Sequence, residues 1–193
     1  MKLYLIRHGR TVANETHLYC GSTDLPLSEK GIAELQQLHY NIPAGCRFLT
    51  SGMLRTEQTL YHLFGDVPHR IDSRFREVDF GVFEGKGYDE LKEQPDYQAW
   101  ISPDNEKNIP PGGESGEQML QRVLEGLREL QKKQEDTVLI THGGVIAALM
   151  NHLFPEEEKN RYQWQPVPGS GYEIAQEGYR LLVCDGAENE NNV

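Results

Sequence analysis

Two histidines far apart in the chain stand in the same local context: Leu3-Tyr4-Leu5-Ile6-Arg7-His8-Gly9 and Val138-Leu139-Ile140-Thr141-His142-Gly143-Gly144. Each is an apolar run that reads as a buried strand and delivers a histidine, then a glycine, where the strand should end. In an open α/β sheet, ligands bind beyond the carboxyl ends of the strands, so the two imidazoles are candidates for one crevice. Glycine permits a tight turn there and brings amide N–H groups close to a guest, which favours an anion.

Arg7 and His8 put a guanidinium beside an imidazole, in a loop that runs through Asn14. A neutral imidazole can attack phosphorus, and a planar guanidinium can hold two phosphoryl oxygens, so His8 is the candidate nucleophile. Taken alone, an Arg-His-Gly tripeptide fits a core histidine beside a surface ion pair better. Three further segments reverse that preference.

Thr50-Ser51-Gly52-Met53-Leu54-Arg55-Thr56-Glu57-Gln58-Thr59 follows the next strand signal and places Arg55 in a helix's first turn. A cation gains nothing from the helix dipole there, so an anion sharing the site would explain it. Arg76-Glu77-Val78-Asp79-Phe80-Gly81-Val82-Phe83-Glu84-Gly85 carries three carboxylates between glycines. An alkoxide leaving group needs a proton, and a carboxyl beside an anion can supply it. Glu77 is the first choice; Asp79 or Glu84 could serve instead, though Glu84 better fits ordering the loop by hydrogen bonds. His142, with Gly143 opening a helix, is expected to be a charged donor to an equatorial oxygen. His17, His39, His62, His69 and His152 have no comparable context and are assigned surface or packing roles.

The elements that must position these residues read as strands at Lys2 to Ile6, Arg47 to Thr50, His69 to Asp72, Thr137 to Ile140, Gly171 to Ala175 and Tyr179 to Cys184. Helix signals run from Ser28 to about Tyr40, Met53 to Phe64, Glu117 to Lys133, and from Gly143 or Gly144 to near Phe154-Pro155. Strands alternating with helices predict a three-layer α/β/α sandwich, with a mostly parallel sheet and an antiparallel edge formed by the last hairpin. The whole chain, residues 1–193, reads as one domain. A polar, proline-rich excursion at about 86–113 is placed over the sheet's carboxyl edge like a lid.

The formal charge of -11 argues against a nucleic-acid or membrane partner, both of which call for a basic face. An anionic substrate therefore requires a local positive pocket within a repelling envelope. Cys20, Cys46 and Cys184 have no metal-ligand spacing and read as reduced packing residues. The apolar stretch at the start is too short for a signal peptide or a membrane span, so a cytoplasmic location is expected. The last residues, Glu188 to Val193, are polar and expected to fray.

In this order and combination, the four segments resemble the histidine phosphatase superfamily, also called phosphoglycerate mutase-like, over nearly the whole chain. The resemblance implies that His8 becomes phosphorylated, that Arg7, Arg55 and His142 form the phosphate pocket, that Glu77 donates the proton, and that Asn14 contacts phosphate. It also implies a phosphoric monoester hydrolase that needs no metal or other cofactor. Tyr19 to Gly31 and Pro110 to Ser115 resemble the phosphatase branch, with Gly21, Ser22, Thr23 and Gly143 as substrate-binding positions. With Tyr97 and Trp100, the pattern is most similar to α-ribazole-5′-phosphate phosphatases of cobalamin biosynthesis. Rings in the excursion could stack on a nucleoside-like base, although their near-helical spacing more often marks a buried stripe. The expected partner is a small phosphomonoester; a homodimer is admitted. Alternatives are a broad-specificity phosphatase, a phosphoglycerate mutase, for which the insertion over the site is short, and a phosphate-sensing scaffold without chemistry. Two positions depart from the family pattern. Arg10 stands where Glu or Gln is usual, and Phe83 where Trp is usual.

Overall fold

In the two central strands, β1 (Leu3–Arg7) and β4 (Thr137–Thr141), side chains alternate between two apolar layers. Leu3, Leu5 and Leu139 face one core, and Tyr4, Ile6, Val138 and Ile140 the other. Burial on both faces explains why these strands read as unbroken apolar runs rather than alternating ones. The computed structural model describes residues 1–103 and 106–182.

Around that pair the sheet contains β2 (Arg47–Thr50), β3 (His69–Ile71), β5 (Gly171–Ala175) and β6 (Gly178–Leu181), in the spatial order β3-β2-β4-β1-β5-β6. β1, β2, β3 and β4 are parallel, and β5 runs against β1 and β6. The strand that opposes the rest is therefore second from the edge, and the edge strand β6 shares the direction of β1. This is the expected α/β sandwich with a mostly parallel sheet.

Helix α1 (Val12–Glu15) follows β1, α2 (Glu29–Leu35) follows in turn, and α3 (Leu54–Phe64) packs Leu60 into the second core. Two short helices, α4 (Tyr88–Leu91) and α5 (Pro95–Trp100), make up most of the excursion. On the other face, α6 (Gly116–Lys133) and α7 (Gly143–Leu153) bury Met119, Val123, Leu127, Ile146 and Met150 in the first core. α6 begins at a capping box between Ser115 and Gln118, which satisfies the amides of those two residues. A last short helix, α8 (Arg161–Trp164), buries Trp164 beside them.

One helix expectation is corrected. The segment from Ser28 stops being helical at Leu35 rather than near Tyr40, because Tyr40 and Ile42 pack against the second core and the Tyr40 hydroxyl donates to the Gly169 carbonyl at 2.8 Å. Tertiary packing there outweighs helix propensity. Strand β6 ends at Leu181, and Cys184 and Glu188 to Val193 lie outside the described residues. Cys20 and Cys46 are free, partly buried thiols, and burial pushes both up from the usual thiol range. Among the described residues no helix is long and apolar enough to cross a membrane.

In the excursion, Tyr97 is buried with Phe83 and Leu91, and Tyr19, Phe80 and Trp100 pack around them. The Tyr97 and Tyr19 hydroxyls are 2.8 Å apart. Tyr97 is thus the centre of a small core and not a stacking platform. Phe83 fills the same cluster, its ring 5.4 Å from that of Trp100.

Candidate active site

Parallel pairing of β1 with β4 brings Arg7 opposite Thr141 and carries His8 and His142 out at the same sheet edge. The His8 amide donates to the Thr141 carbonyl at 2.9 Å, which continues the ladder one step further. The two rings meet edge to face with centroids 5.2 Å apart. Both are buried, and His142 has no solvent exposure at all.

Their partners assign the protons. His8 Nδ1 lies 2.7 Å from the Gly9 carbonyl, which can only accept, so Nδ1 carries the hydrogen and Nε2 keeps its lone pair. Gly9 is itself pinned: its amide donates to Thr59 Oγ1 at 2.9 Å, and that hydroxyl donates to the Arg55 carbonyl one turn back at 2.6 Å. Burial, then the Arg55 and Arg7 guanidiniums, hold His8 well below the usual imidazole range. A neutral ring with a free Nε2 is what a nucleophile requires.

His142 has the opposite arrangement. Arg55 Nε donates to its Nδ1 at 3.3 Å, so the proton sits on Nε2, 2.8 Å from Ser51 Oγ. Burial, then Arg55 and His8, depress its basicity too. The expectation of a charged His142 is therefore corrected: fully buried and accepting from the Arg55 guanidinium, the imidazole is neutral.

Arg55 is 1% exposed and donates through Nη1 to the Thr23 carbonyl at 2.8 Å and through Nη2 to the Gly21 carbonyl at 2.7 Å. Arg7 Nη1 donates to the Pro166 carbonyl at 2.8 Å, while its buried Nε has no partner among the described residues. A buried donor left without a partner is a costly feature that an anionic guest would relieve. Gly143 lets Arg7 lie across the helix start, since a Cβ there would sit 3.1 Å from the guanidinium carbon. The two arginines make a compact positive spot inside an acidic chain. Arg10, the departure from the family pattern, is turned into an ion pair with Glu34 at 3.1 Å.

Glu77 arrives from the turn after β3, and its Oε2 accepts from the Gly144 amide at 2.9 Å. Its Oε1 accepts from its own neighbour's amide, that of Val78, at 3.0 Å. The carboxylate is thereby fixed at the start of α7, one residue from Gly143 and two from His142. Glu77, Arg7, His8, Arg55 and His142 are thus brought together at one edge of the sheet. Asp79, the rival acid, is turned to the Gly81 amide and the Ser22 hydroxyl.

The remaining assignments move to supporting positions. Glu84 accepts from the amides of Gly21, Ser22, Thr23 and Phe80 and from the Thr23 hydroxyl. The amides of Gly21, Ser22 and Thr23 are therefore committed to Glu84 and not offered to a ligand, while the Gly21 and Thr23 carbonyls hold Arg55. A Cβ on Gly21 would overlap the Val78 carbonyl, so only glycine lets these loops close. Asn14 uses Oδ1 to accept from the Thr11 amide and hydroxyl, which leaves the opposite, NH2 end of the group as its donor edge. The Gly144 amide serves Glu77. Among the other histidines, His17, His39, His69 and His152 are exposed and His62 is half-buried. Among the described residues no group of three or more His, Cys, Asp or Glu side chains could hold a metal ion.

Ser51, Thr59 and Arg122 were not singled out in the sequence, yet each supports the site. Ser51 follows β2 directly and Thr59 lies one helical turn after Arg55, so both could have been found as neighbours of Arg55.

Residues 3–184 match the histidine phosphatase superfamily (branch 1). The chain belongs to the histidine phosphatase superfamily. Its members include an adenosylcobalamin/α-ribazole phosphatase of Escherichia coli (strain K12), 32% identical over 98% of this chain and all of that protein. They also include a 2,3-bisphosphoglycerate-dependent phosphoglycerate mutase of Beijerinckia indica, 30% identical over 80% of this chain and 83% of that one. The crystal structure of a candidate α-ribazole-5′-P phosphatase from Escherichia coli K-12 superposes with a TM-score of 0.82, at 29% identity over 95% of both chains. As a histidine phosphatase the protein is a phosphoric monoester hydrolase, and the α/β fold is that of the family.

Proposed function

We propose that this histidine phosphatase hydrolyses a small phosphomonoester through a phosphohistidine on His8, and that the physiological substrate is α-ribazole 5′-phosphate. The reading rests above all on one observation: the hydrogen bond from Nδ1 to the Gly9 carbonyl, which places the hydrogen of the neutral His8 ring on Nδ1 and leaves the unshared pair on Nε2. The choice of substrate is supported by similarity over full length to a protein that bears that activity in its name.

In the first step the Nε2 pair forms a bond to phosphorus while the P–O bond to the alcohol breaks, and Glu77 delivers its proton to the departing oxygen. Nδ1 keeps its hydrogen and its bond to Gly9, so the phosphorylated ring is a cation stabilised by a carbonyl. In the second step Glu77, now a carboxylate, takes a proton from water as the water oxygen attacks phosphorus. The P–N bond breaks and its electron pair returns to Nε2. Arg7 and Arg55 stabilise charge on the non-bridging oxygens, a contribution of several kcal/mol at preorganised sites of this kind.

Arg55 and His142 now satisfy one another, so an incoming phosphoryl group displaces that contact. His142 then takes up a second proton from solvent on Nδ1 and, keeping it, donates a hydrogen bond to a phosphoryl oxygen, with Nε2 still held by Ser51.

The test is a rapid acid-free quench after mixing with 32P-labelled substrate. Base-stable, acid-labile label on the wild type and none on His8→Ala is expected, whereas release of phosphate by His8→Ala at the wild-type rate would end the mechanism. A parallel screen sets α-ribazole 5′-phosphate against nucleotides, sugar phosphates and 3-phosphoglycerate. Highest kcat/KM on the first is expected, and formation of 2-phosphoglycerate from the last would make the protein a mutase instead.

A further inference from the structure

Arg122, in the second turn of α6, uses every N–H it has. Nη1 donates to the carbonyls of Arg74 and Arg76, each at 2.7 Å, and Nη2 donates to the Glu77 carbonyl at 2.9 Å and to Glu114 Oε1. Nε donates to Glu114 Oε2 at 3.1 Å. A guanidinium has five donors, and here all five are taken, three by the backbone of the segment that ends in Glu77.

Glu114 is tied to the same segment from the other side. Its amide donates to the Asp79 carbonyl at 3.0 Å and its carboxylate accepts from the Asp79 amide at 3.3 Å. The chain from Arg74 to Asp79 is therefore gripped by one ion pair between α6 and the residue before its N-cap. That segment is itself neither strand nor α-helix: it opens within the short turn Ser73–Phe75, and β4 holds it at Phe75, whose carbonyl accepts from the Thr141 hydroxyl at 2.7 Å. The Glu77 carboxylate, for its part, has one hydrogen bond outside its own turn among the described residues, from the amide of Gly144.

We propose that Arg122 is a positioning residue for proton transfer: by fixing the Glu77 backbone from α6 it sets the distance between the Glu77 carboxyl and the departing alcohol. The proposal rests on the reading of Glu77 as the acid. Among the described residues Arg122 has no hydrogen bond to the Glu77 carboxylate, and its effect passes through the backbone. A lysine keeps the charge facing Glu114 but has three donors around one nitrogen and cannot span three carbonyls in a planar fork. Misplacement by a fraction of an ångström weakens proton transfer without touching the phosphate pocket.

The leaving group separates this role from general support of the fold. An alkyl alkoxide cannot leave without a proton, whereas p-nitrophenolate departs readily without one. The parameter to read is kcat/KM, which covers the steps up to phosphorylation of His8 and excludes hydrolysis of the phosphohistidine. In Arg122→Lys, kcat/KM for glycerol 2-phosphate is expected to fall at least about tenfold, within the range general acids contribute. For p-nitrophenyl phosphate it should change less than about threefold, and thermal melting checks the fold. Glu114→Gln, which weakens the same ion pair without removing the fork, is expected to show the same pattern in smaller degree. In a Glu77→Gln background, Arg122→Lys should cost nothing further with glycerol 2-phosphate.

Equal losses on both substrates would assign Arg122 to the fold alone. Unchanged rates on both, or a full additional loss in the Glu77→Gln background, would likewise overturn the proposal. If the wild type formed no phosphohistidine with either substrate, the hydrolase reading would fail, and that failure is seen before any variant is made.

Discussion

Arg55 donates from Nε to Nδ1 of His142 across 3.3 Å, so a permanently charged guanidinium uses a neutral imidazole as its acceptor. The contact fixes His142 as the Nε2–H tautomer, while the Gly9 carbonyl fixes His8 as the Nδ1–H tautomer. Two rings 5.2 Å apart therefore hold opposite protons for different reasons, one freed to attack and the other tied to Ser51.

Stability should depend on pH through these two rings. Both are held below the ordinary imidazole value near 6.5 in the folded protein, so above about pH 6.5 neither state binds the extra proton and stability is flat. Below that value the unfolded chain is protonated and the folded one is not, so stability falls with acidification at up to about 1.4 kcal/mol per pH unit for each histidine. Urea unfolding at pH 7.5, 6.0 and 5.5 measures the slope. His142→Gln should reduce it by about half, leaving the His8 contribution, and a variant as acid-sensitive as the wild type would contradict the assignment.

Binding of a tetrahedral dianion should be accompanied by proton uptake. Nδ1 of His142 can donate to an oxyanion only after it gains a hydrogen, and a dianion nearby favours the charged ring. Calorimetric titration with tungstate at pH 7.5, in buffers of different ionisation enthalpy, should report about one proton taken up per site. Uptake should vanish in His142→Gln; its persistence there would place the proton elsewhere.

Gly144→Ala should separate activity from stability. The backbone is helical and a Cβ gains helix propensity of roughly 0.5–1 kcal/mol, but it would overlap Glu77 Oε1, the far end of a side chain that can swing aside. Melting should be unchanged or raised while kcat/KM for an alkyl phosphate drops at least about tenfold. Retained activity would mean that Glu77 can work from another position.

Glu84→Ala should loosen the site from below. The carboxylate collects four amides and one hydroxyl from the loops that present the Gly21 and Thr23 carbonyls to Arg55. Leaving those donors without an acceptor should cost about 2–3 kcal/mol in denaturant unfolding. KM should rise as Arg55 loses its fixed position, and a normal KM in a destabilised variant would show that the loops do not control Arg55.

Several of these relationships could be read in the sequence. The apolar runs before His8 and His142 are long enough to specify two buried parallel strands, and the glycine after each marks the strand end. The helix start at Ser115 is announced by Gln118 three residues on, and that of α3 by the strand before it. The end of α2 was not legible, because what stops it is packing of Tyr40 and Ile42 against residues far along the chain. Tyr97 was ambiguous for a similar reason: helical spacing cannot tell a ring that stacks on a ligand from one that closes a core with Phe83 and Leu91.

The sequence by itself determined the strand ends, the two histidines and two arginines, and the family, since these depend on residue type, pattern and order along the chain. Only the tertiary structure decided which of Glu77, Asp79 and Glu84 faces the site, that His142 is neutral, and that Arg122 reaches across to the turn carrying Glu77. Proton position and charge depend on which donors lie within about 3 Å and on how completely water is excluded. Residues that are 45 to 87 positions apart in the chain set those quantities, and local pattern contains no record of them.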